Sequence, residues 1–116
     1  MNYNQKIGRL GEEIAVKYLQ KRGYSIIDRN VYFRCGEIDI IAEKNDILYF
    51  IEVKTRTSDK FGPPEISISS SKILRLERSI LSYFQVNKSK KTYFMIIISV
   101  LIDVKHKTAR VYKIDI

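Results

Sequence analysis

The chain has 116 residues, 45% hydrophobic and 29% charged, with 21 Lys plus Arg against 13 Asp plus Glu and a net charge of +8. That length supports one core and not two, so a single domain over residues 1–116 is expected, and the composition excludes a disordered chain. The lone cysteine, Cys35, excludes an internal disulfide, and the basic excess favours polyanion partners, nucleic acid before anionic membrane.

From Asn4 to Arg22, Ile7, Leu10, Gly11, Ile14 and Tyr18 recur at helical spacing, and Gly23 supplies a stop. Tyr24–Ile27 is a short strand candidate, followed by a turn at Asp28-Arg29-Asn30. Two strands, Glu37–Glu43 and Ile47–Thr55, flank Lys44-Asn45-Asp46, and a loop holds Phe61-Gly62-Pro63-Pro64. Ser69-Ser70-Ser71 can cap a second helix whose inner face carries Ile73, Leu76, Ile80, Leu81 and Phe84. Tyr93–Ile102 reads as a strand buried on both faces. After a polar link at Lys105-His106-Lys107-Thr108, Val111–Ile116 gives the last strand. The order α-β-β-β-α-β-β predicts an α/β fold, a mixed sheet flanked by helices.

The start, MNYNQKIGRLGEE, is too polar to resemble a signal peptide, and Met95 to Ile102 is too short to cross a bilayer. A soluble, cytoplasmic protein with no membrane partner is therefore expected.

The hairpin raises a chemical question, because Asp39 and Glu52 interrupt its apolar runs. Asn45 and Asp46 both tolerate positive φ, so a two-residue loop fixes the register: Lys44 with Ile47, Glu43 with Leu48, Ile41 with Phe50. Continued outward, that register sets Asp39 opposite Glu52, with Lys54 on the Glu52 face. Ile38, Ile40, Ile51 and Val53 then point the other way. Like charges directly opposite are destabilising. A divalent cation, a shared proton or an ion pair with Lys54 would each relieve them. Mg²⁺ suits this oxygen-rich setting, since it uses one or two carboxylates with waters and substrate phosphate. Lys54 would then orient or deprotonate an attacking water, or hold a phosphate oxygen.

The first helix offers a third acid. At about 100° per residue, Glu13 falls among Lys6, Arg9, Lys17 and Gln20 on a solvated face. Glu12 falls beside Gly8, Ala15, Val16 and Leu19, where it is either a functional carboxylate or the edge of the helix reaching water.

Gly11-Glu12 with Ala15 and Tyr18-Leu19, then Gly23-Tyr24, Gly36-Glu37-Ile38-Asp39 and Glu52-Val53-Lys54-Thr55-Arg56 resemble the YraN-like family. Phe61-Gly62 and Lys72 match it too, so the likeness runs from about Gly8 to Phe84. That family is placed with the restriction-endonuclease-like, or PD-(D/E)XK, nucleases and is similar to archaeal Holliday-junction resolvases. The resemblance implies a restriction-endonuclease-like mixed sheet, Asp39, Glu52 and the Val53 carbonyl as ligands of Mg²⁺ or Mn²⁺, and Lys54 as the catalytic lysine. Glu12 would complete the site from the helix. Glu37 matches the motif without an evident role. Tyr93-Phe94-Met95 departs from the family's usual Arg-Phe-Asp-like start, so any task of that Asp is missing here.

Around this centre lie Arg56, Lys60, Lys72 and Arg75 as candidate nucleic-acid contacts, with Lys72, Arg75 and Ser79 on the outer side of the second helix and Arg78 nearby. Lys88, Lys90 and Lys91 form a further cluster. Such cations hold phosphates and set position without reading sequence. His106, the one histidine, gives no basis for a zinc cluster, and Cys35 reads as a small residue before a turn. The favoured reading is a metal-dependent DNA endonuclease for branched, nicked or single-stranded sites, with RNA as an alternative substrate. Similar resolvases act as two-fold dimers, which implies a homodimer. The competing readings are a non-catalytic nucleic-acid-binding module and a structural adaptor whose acids are only ion-paired.

Overall fold

The computed structural model describes residues 1–57 and 69–116, so Lys60 and the Phe61-Gly62-Pro63-Pro64 loop lie outside the described residues. Helix α1 spans Tyr3–Lys21. It opens on a reciprocal cap in which the Asn2 side chain accepts the Gln5 N–H at 2.8 Å and the Gln5 side chain accepts the Asn2 N–H at 3.0 Å. It closes at Gly23, whose φ of +88° lets the Gly23 and Tyr24 N–H groups turn back onto the Gln20 and Leu19 carbonyls.

The buried stripe of α1 is Gly11, Ala15, Val16 and Leu19, while Leu10 is 46% exposed and Ile7, Ile14 and Tyr18 only border the core. The helix is thus rotated from the expected stripe toward Glu12. The cause is close approach: a Cβ at position 11 would overlap the Thr55 side chain, so small residues face the sheet and larger ones flank it.

Strands β1 (Ser25–Phe33), β2 (Gly36–Lys44), β3 (Ile47–Thr57), β4 (Tyr93–Asp103) and β5 (Thr108–Asp115) form one sheet in that spatial order. Neighbours are antiparallel except β3 and β4, which run parallel across the connection that contains α2 (Ser70–Asn87). The order α-β-β-β-α-β-β and the mixed α/β sheet are as expected.

Two boundaries differ from the sequence reading by more than two residues. Asp28-Arg29-Asn30 is not a turn: β1 runs through it, with a bulge between Ile26 and Asp28 and Asn30 at φ 52°. The last strand begins at Thr108 rather than Val111, because the β4–β5 turn occupies only residues 104–107.

Alternation along β3 gives each face its own core. Ile51 joins Ile40, Ile96, Ile98 and Val100 beneath α1. Phe50 joins Ile41, Leu48, Leu76 and Ile80 beneath α2, with Tyr83, Phe84 and Tyr93 edge-on to its ring. Helix α2 is capped by Ser69, which accepts the Lys72 N–H at 3.3 Å. Its inner face excludes Leu81, which is 61% exposed, and includes Ser79, which is fully buried. Ser79 fits there because α2 passes close over Gly36, where an added Cβ would lie 3.2 Å from the serine hydroxyl. Among the described residues no helix is long and apolar enough to cross a membrane.

Candidate active site

The hairpin turn has the expected geometry. Asn45 and Asp46 take φ of 52° and 65°, and the pairs Lys44/Ile47, Glu43/Leu48 and Ile41/Phe50 all form. Backbone pairing between β2 and β3 ends at Ile40/Ile51, one step short of Asp39 and Glu52. There the Asp39 side chain takes over, its Oδ2 accepting the Val53 N–H at 2.8 Å.

Asp39 also marks a slip in β2. Ile40 packs beneath α1, yet Ile38, two residues away, packs beneath α2 with Ile41. The expectation that Ile38 shares a core with Ile40, Ile51 and Val53 is therefore corrected. Across from Asp39 on β1 stands Asn30 in its left-handed conformation, between the pairs Arg29/Ile40 and Val31/Ile38. The strand is regular on both sides of Asp39 and irregular at it.

Glu52 and Lys54 follow Phe50 by alternation and so belong to the α2 face of β3. The Glu52 side chain is 13% exposed, and its Oε1 lies 2.9 Å from the Lys72 Nζ. Lys54 is half-buried and in register with Ser99 of β4. Ser99 is a residue whose role the sequence left open: its Oγ is buried and has no hydrogen-bond partner among the described residues. The only signal was one hydroxyl inside the run Met95 to Ile102. Met95 packs against the α2-side core.

Burial raises the Asp39 carboxyl to about 7, and the Glu52 carboxylate adds to the rise. The Val53 N–H opposes it, while Glu37 and Glu12 contribute lesser repulsions. Four acids from three elements thus act on one another at this end of the sheet. Burial likewise raises Glu12, with Arg29 pulling it down and Glu37 and Glu13 pushing it up. Glu12 Oε1 is buried and has no hydrogen-bond partner among the described residues. Glu13 is exposed and pairs with Arg29 at 2.7 Å, as its place on the solvated face predicts.

Gly36, Glu37, Glu52, Lys72, Arg75 and Leu76 line a cavity of about 340 Å³ on the α2 side. Lys72 and Arg75 therefore border the acids, and Ser79 is buried, so the three are not an outward-facing row. Glu37 stands at this cavity, exposed. Arg56 is half-buried further along β3. The lysine cluster is elsewhere: Lys91 binds Glu43 at 2.8 Å and Asp46 at 3.3 Å at the hairpin tip. That is four residues along β2 from Asp39, roughly 13 Å at strand spacing. His106 closes the β4–β5 turn onto Asp103, its Nδ1 2.8 Å from the carboxylate. Among the described residues no group of three or more His, Cys, Asp and Glu is arranged to hold a metal ion.

Residues 11–104 match the family described as Uncharacterised protein family UPF0102. The chain belongs to this family. It is the YraN-like family that the GEID and EVK motifs resemble, and the matched span contains Glu12, Asp39, Glu52 and Lys54. The chain is 46% identical to a UPF0102 protein of Alkaliphilus oremlandii over 85 residues, which is 73% of each chain. It is 45% identical to one of Clostridium perfringens over 91 residues, covering 78% of this chain and 75% of the relative. One of Syntrophomonas wolfei is 44% identical over 82 residues, 71% of each.

Proposed function

We propose that this UPF0102 protein is a divalent-metal-dependent endonuclease that hydrolyses DNA phosphodiester bonds, with the PD-(D/E)XK arrangement as its catalytic centre. The observation that carries this reading is Asp39: a partly buried carboxyl, raised to about 7 by burial and by the charge of Glu52, at a point where the strand gives up regular pairing. Such a pair binds a proton or a cation. Its donors are hard oxygens, and two carboxylates with waters and phosphate oxygens are enough for Mg²⁺ or Mn²⁺.

Asp39, Glu52 and the Val53 carbonyl would hold the ion, which when bound would polarise the phosphoryl group and stabilise the charge that builds in the transition state. The Val53 N–H fixes the Asp39 carboxylate, so its orientation is set before anything binds. Lys54 would direct its ammonium to the attacking water or a phosphate oxygen. Glu12 Oε1 would accept a hydrogen bond from a water in the site, which fits its lack of a protein partner. Arg56, Lys72 and Arg75 would bind substrate phosphates, in keeping with a net charge of +8.

One observation favours a different reading. The Lys72–Glu52 pair is what an adaptor with purely structural acids would contain. The two separate on purified protein incubated with Mg²⁺ or Mn²⁺ and a panel of duplex, flap, four-way and single-stranded DNAs. Cleavage by wild type that Glu52→Ala abolishes, with DNA retention intact, is the expected result. DNA binding without cleavage would favour a non-catalytic module, and absence of both DNA and metal binding would leave the adaptor.

A further inference from the structure

We propose that Lys72 is an exchangeable counterion for Glu52, released when its ammonium moves to a substrate phosphate, so that nucleic acid and divalent cation strengthen each other's binding. This rests on the reading of Asp39 and Glu52 as a divalent-ion site.

Lys72 is unfavourably placed. It is the third residue of α2, whose first turn contains no acid. The positive end of the helix dipole disfavours a cation there. What offsets this is Glu52 Oε1, 2.9 Å from the ammonium. Lys72 is 43% exposed and Glu52 only 13%, so the lysine reaches from the rim to a buried carboxylate along a stem with four flexible carbons. It can leave without α2 moving, because α2 is held by other contacts: Ser69 caps it, and Leu76 and Ile80 anchor it in the core.

Two cations on one carboxylate repel. A divalent ion at Glu52 therefore competes with the Lys72 ammonium. The cavity beside the pair gives that ammonium somewhere to go, since Lys72 and Arg75 both line it and a phosphate entering there would meet two cations. Phosphate binding would draw Lys72 off Glu52 and leave Asp39 and Glu52 to the metal. By linkage the effect is reciprocal, so the metal would tighten phosphate binding by the same factor. Without substrate, Lys72 would keep the site weak for metal.

Calorimetric titration of Mn²⁺ into wild type, Lys72→Ala, Lys72→Arg and Arg78→Ala tests this without measuring cleavage. Lys72→Ala should bind Mn²⁺ about fivefold or more tightly than wild type, the scale of ordinary coupling between sites. Lys72→Arg should stay near wild type. Arg78→Ala removes the same charge from an exposed position of α2 and should change affinity by less than about twofold. A short labelled DNA duplex should bind Lys72→Ala more weakly in the absence of metal. It should raise Mn²⁺ affinity by a larger factor in wild type than in Lys72→Ala, where only phosphate ligation of the ion is left to couple the two. Alanine is the best helix former, so the variant should keep its fold, which circular dichroism checks. Equal Mn²⁺ affinities in wild type and Lys72→Ala would overturn the exchange while leaving the metal reading in place. No Mn²⁺ binding to either protein would overturn both.

Discussion

The two faces of β3 are made from the same eleven residues and have opposite characters. Toward α1 stand Tyr49, Ile51 and Val53, packed with aliphatic residues of β2 and β4 and closed over by a helix so near that Gly11 has no room for a side chain. Toward α2 the face starts equally apolar at Phe50 and then turns to Glu52 and Lys54. The first face is finished as a piece of packing. The second carries a carboxylate close enough to Asp39 to raise its proton affinity, and beside Lys54 on the next strand stands a buried serine with no hydrogen-bond partner among the described residues. One side of the strand is closed by packing, while the other joins a set of mutually repelling acids, and that is the side with chemistry left to do.

Substitutions at adjacent positions should separate the faces most strongly. Ile51 is fully buried, and Ile51→Ala should cost about 3–4 kcal/mol in urea or thermal unfolding, the sum of lost transfer energy and the cavity left behind. Glu52→Ala, one residue on, should move stability by less than about 1 kcal/mol, since its ion pair is with a half-exposed lysine and its removal relieves Asp39. Equal losses at the two positions would mean that Glu52 is a packing residue.

The next effect has the opposite sign. Asp39→Asn keeps an oxygen for the Val53 N–H and removes the charge, so without divalent ions it should stabilise the protein. The carboxyl rises from an ordinary 3.8 to about 7 on folding. Between those values the folded state holds a proton that the unfolded state has lost, so wild-type stability falls as pH rises through that window and levels off above it. The advantage of Asp39→Asn should be near zero at pH 4 and full at pH 8. The shift of about three units corresponds to roughly 4 kcal/mol at most, and solvent reaching a partly exposed carboxylate brings this to about 1–2 kcal/mol. Melting curves of both proteins from pH 4 to 8 check it. A constant difference across the range would show that Asp39 does not carry the raised proton affinity.

Local rules were enough for the hairpin. Asn45 and Asp46 fixed the turn, and the turn fixed the register as far as Ile40/Ile51, one step from Asp39 and Glu52. They failed where a second layer decides the outcome. Leu10 and Leu81 are apolar by periodicity and exposed because neighbouring small residues, Gly11 and Ser79, are where the helices come closest to the sheet. Lys72 and Arg75 read as surface by type and spacing, yet the passage of α2 over Gly36 brings them to the acids. Asn30 looked like a turn residue and instead carries β1 past the slip at Asp39. The acids were legible because charge in a strand is conspicuous. Their neighbours were not, because nothing in one segment records what another will lay over it.

The smallest effect tests whether the set of interacting acids reaches onto α1. Glu12 and Glu13 are adjacent, yet one is partly buried with an oxygen that has no partner among the described residues and the other is exposed and bound to Arg29. Glu13→Ala removes a surface pair worth less than about 1 kcal/mol. Alanine's helix propensity offsets part of that, so stability should change by about 0.5 kcal/mol or less. Its informative consequence is electrostatic. Glu13 raises the Glu12 carboxyl and Arg29 lowers it, so removing Glu13 takes away a repulsion and leaves the guanidinium to act on Glu12 alone. Glu12 should then titrate at lower pH, which carboxyl NMR would detect directly. If Glu12 serves cleavage as a carboxylate, the acidic limb of the pH–rate profile should move down with it while the plateau stays in place. A titration shift with an unmoved limb would confine the reacting acids to β2 and β3 and return Glu12 to the edge of the helix.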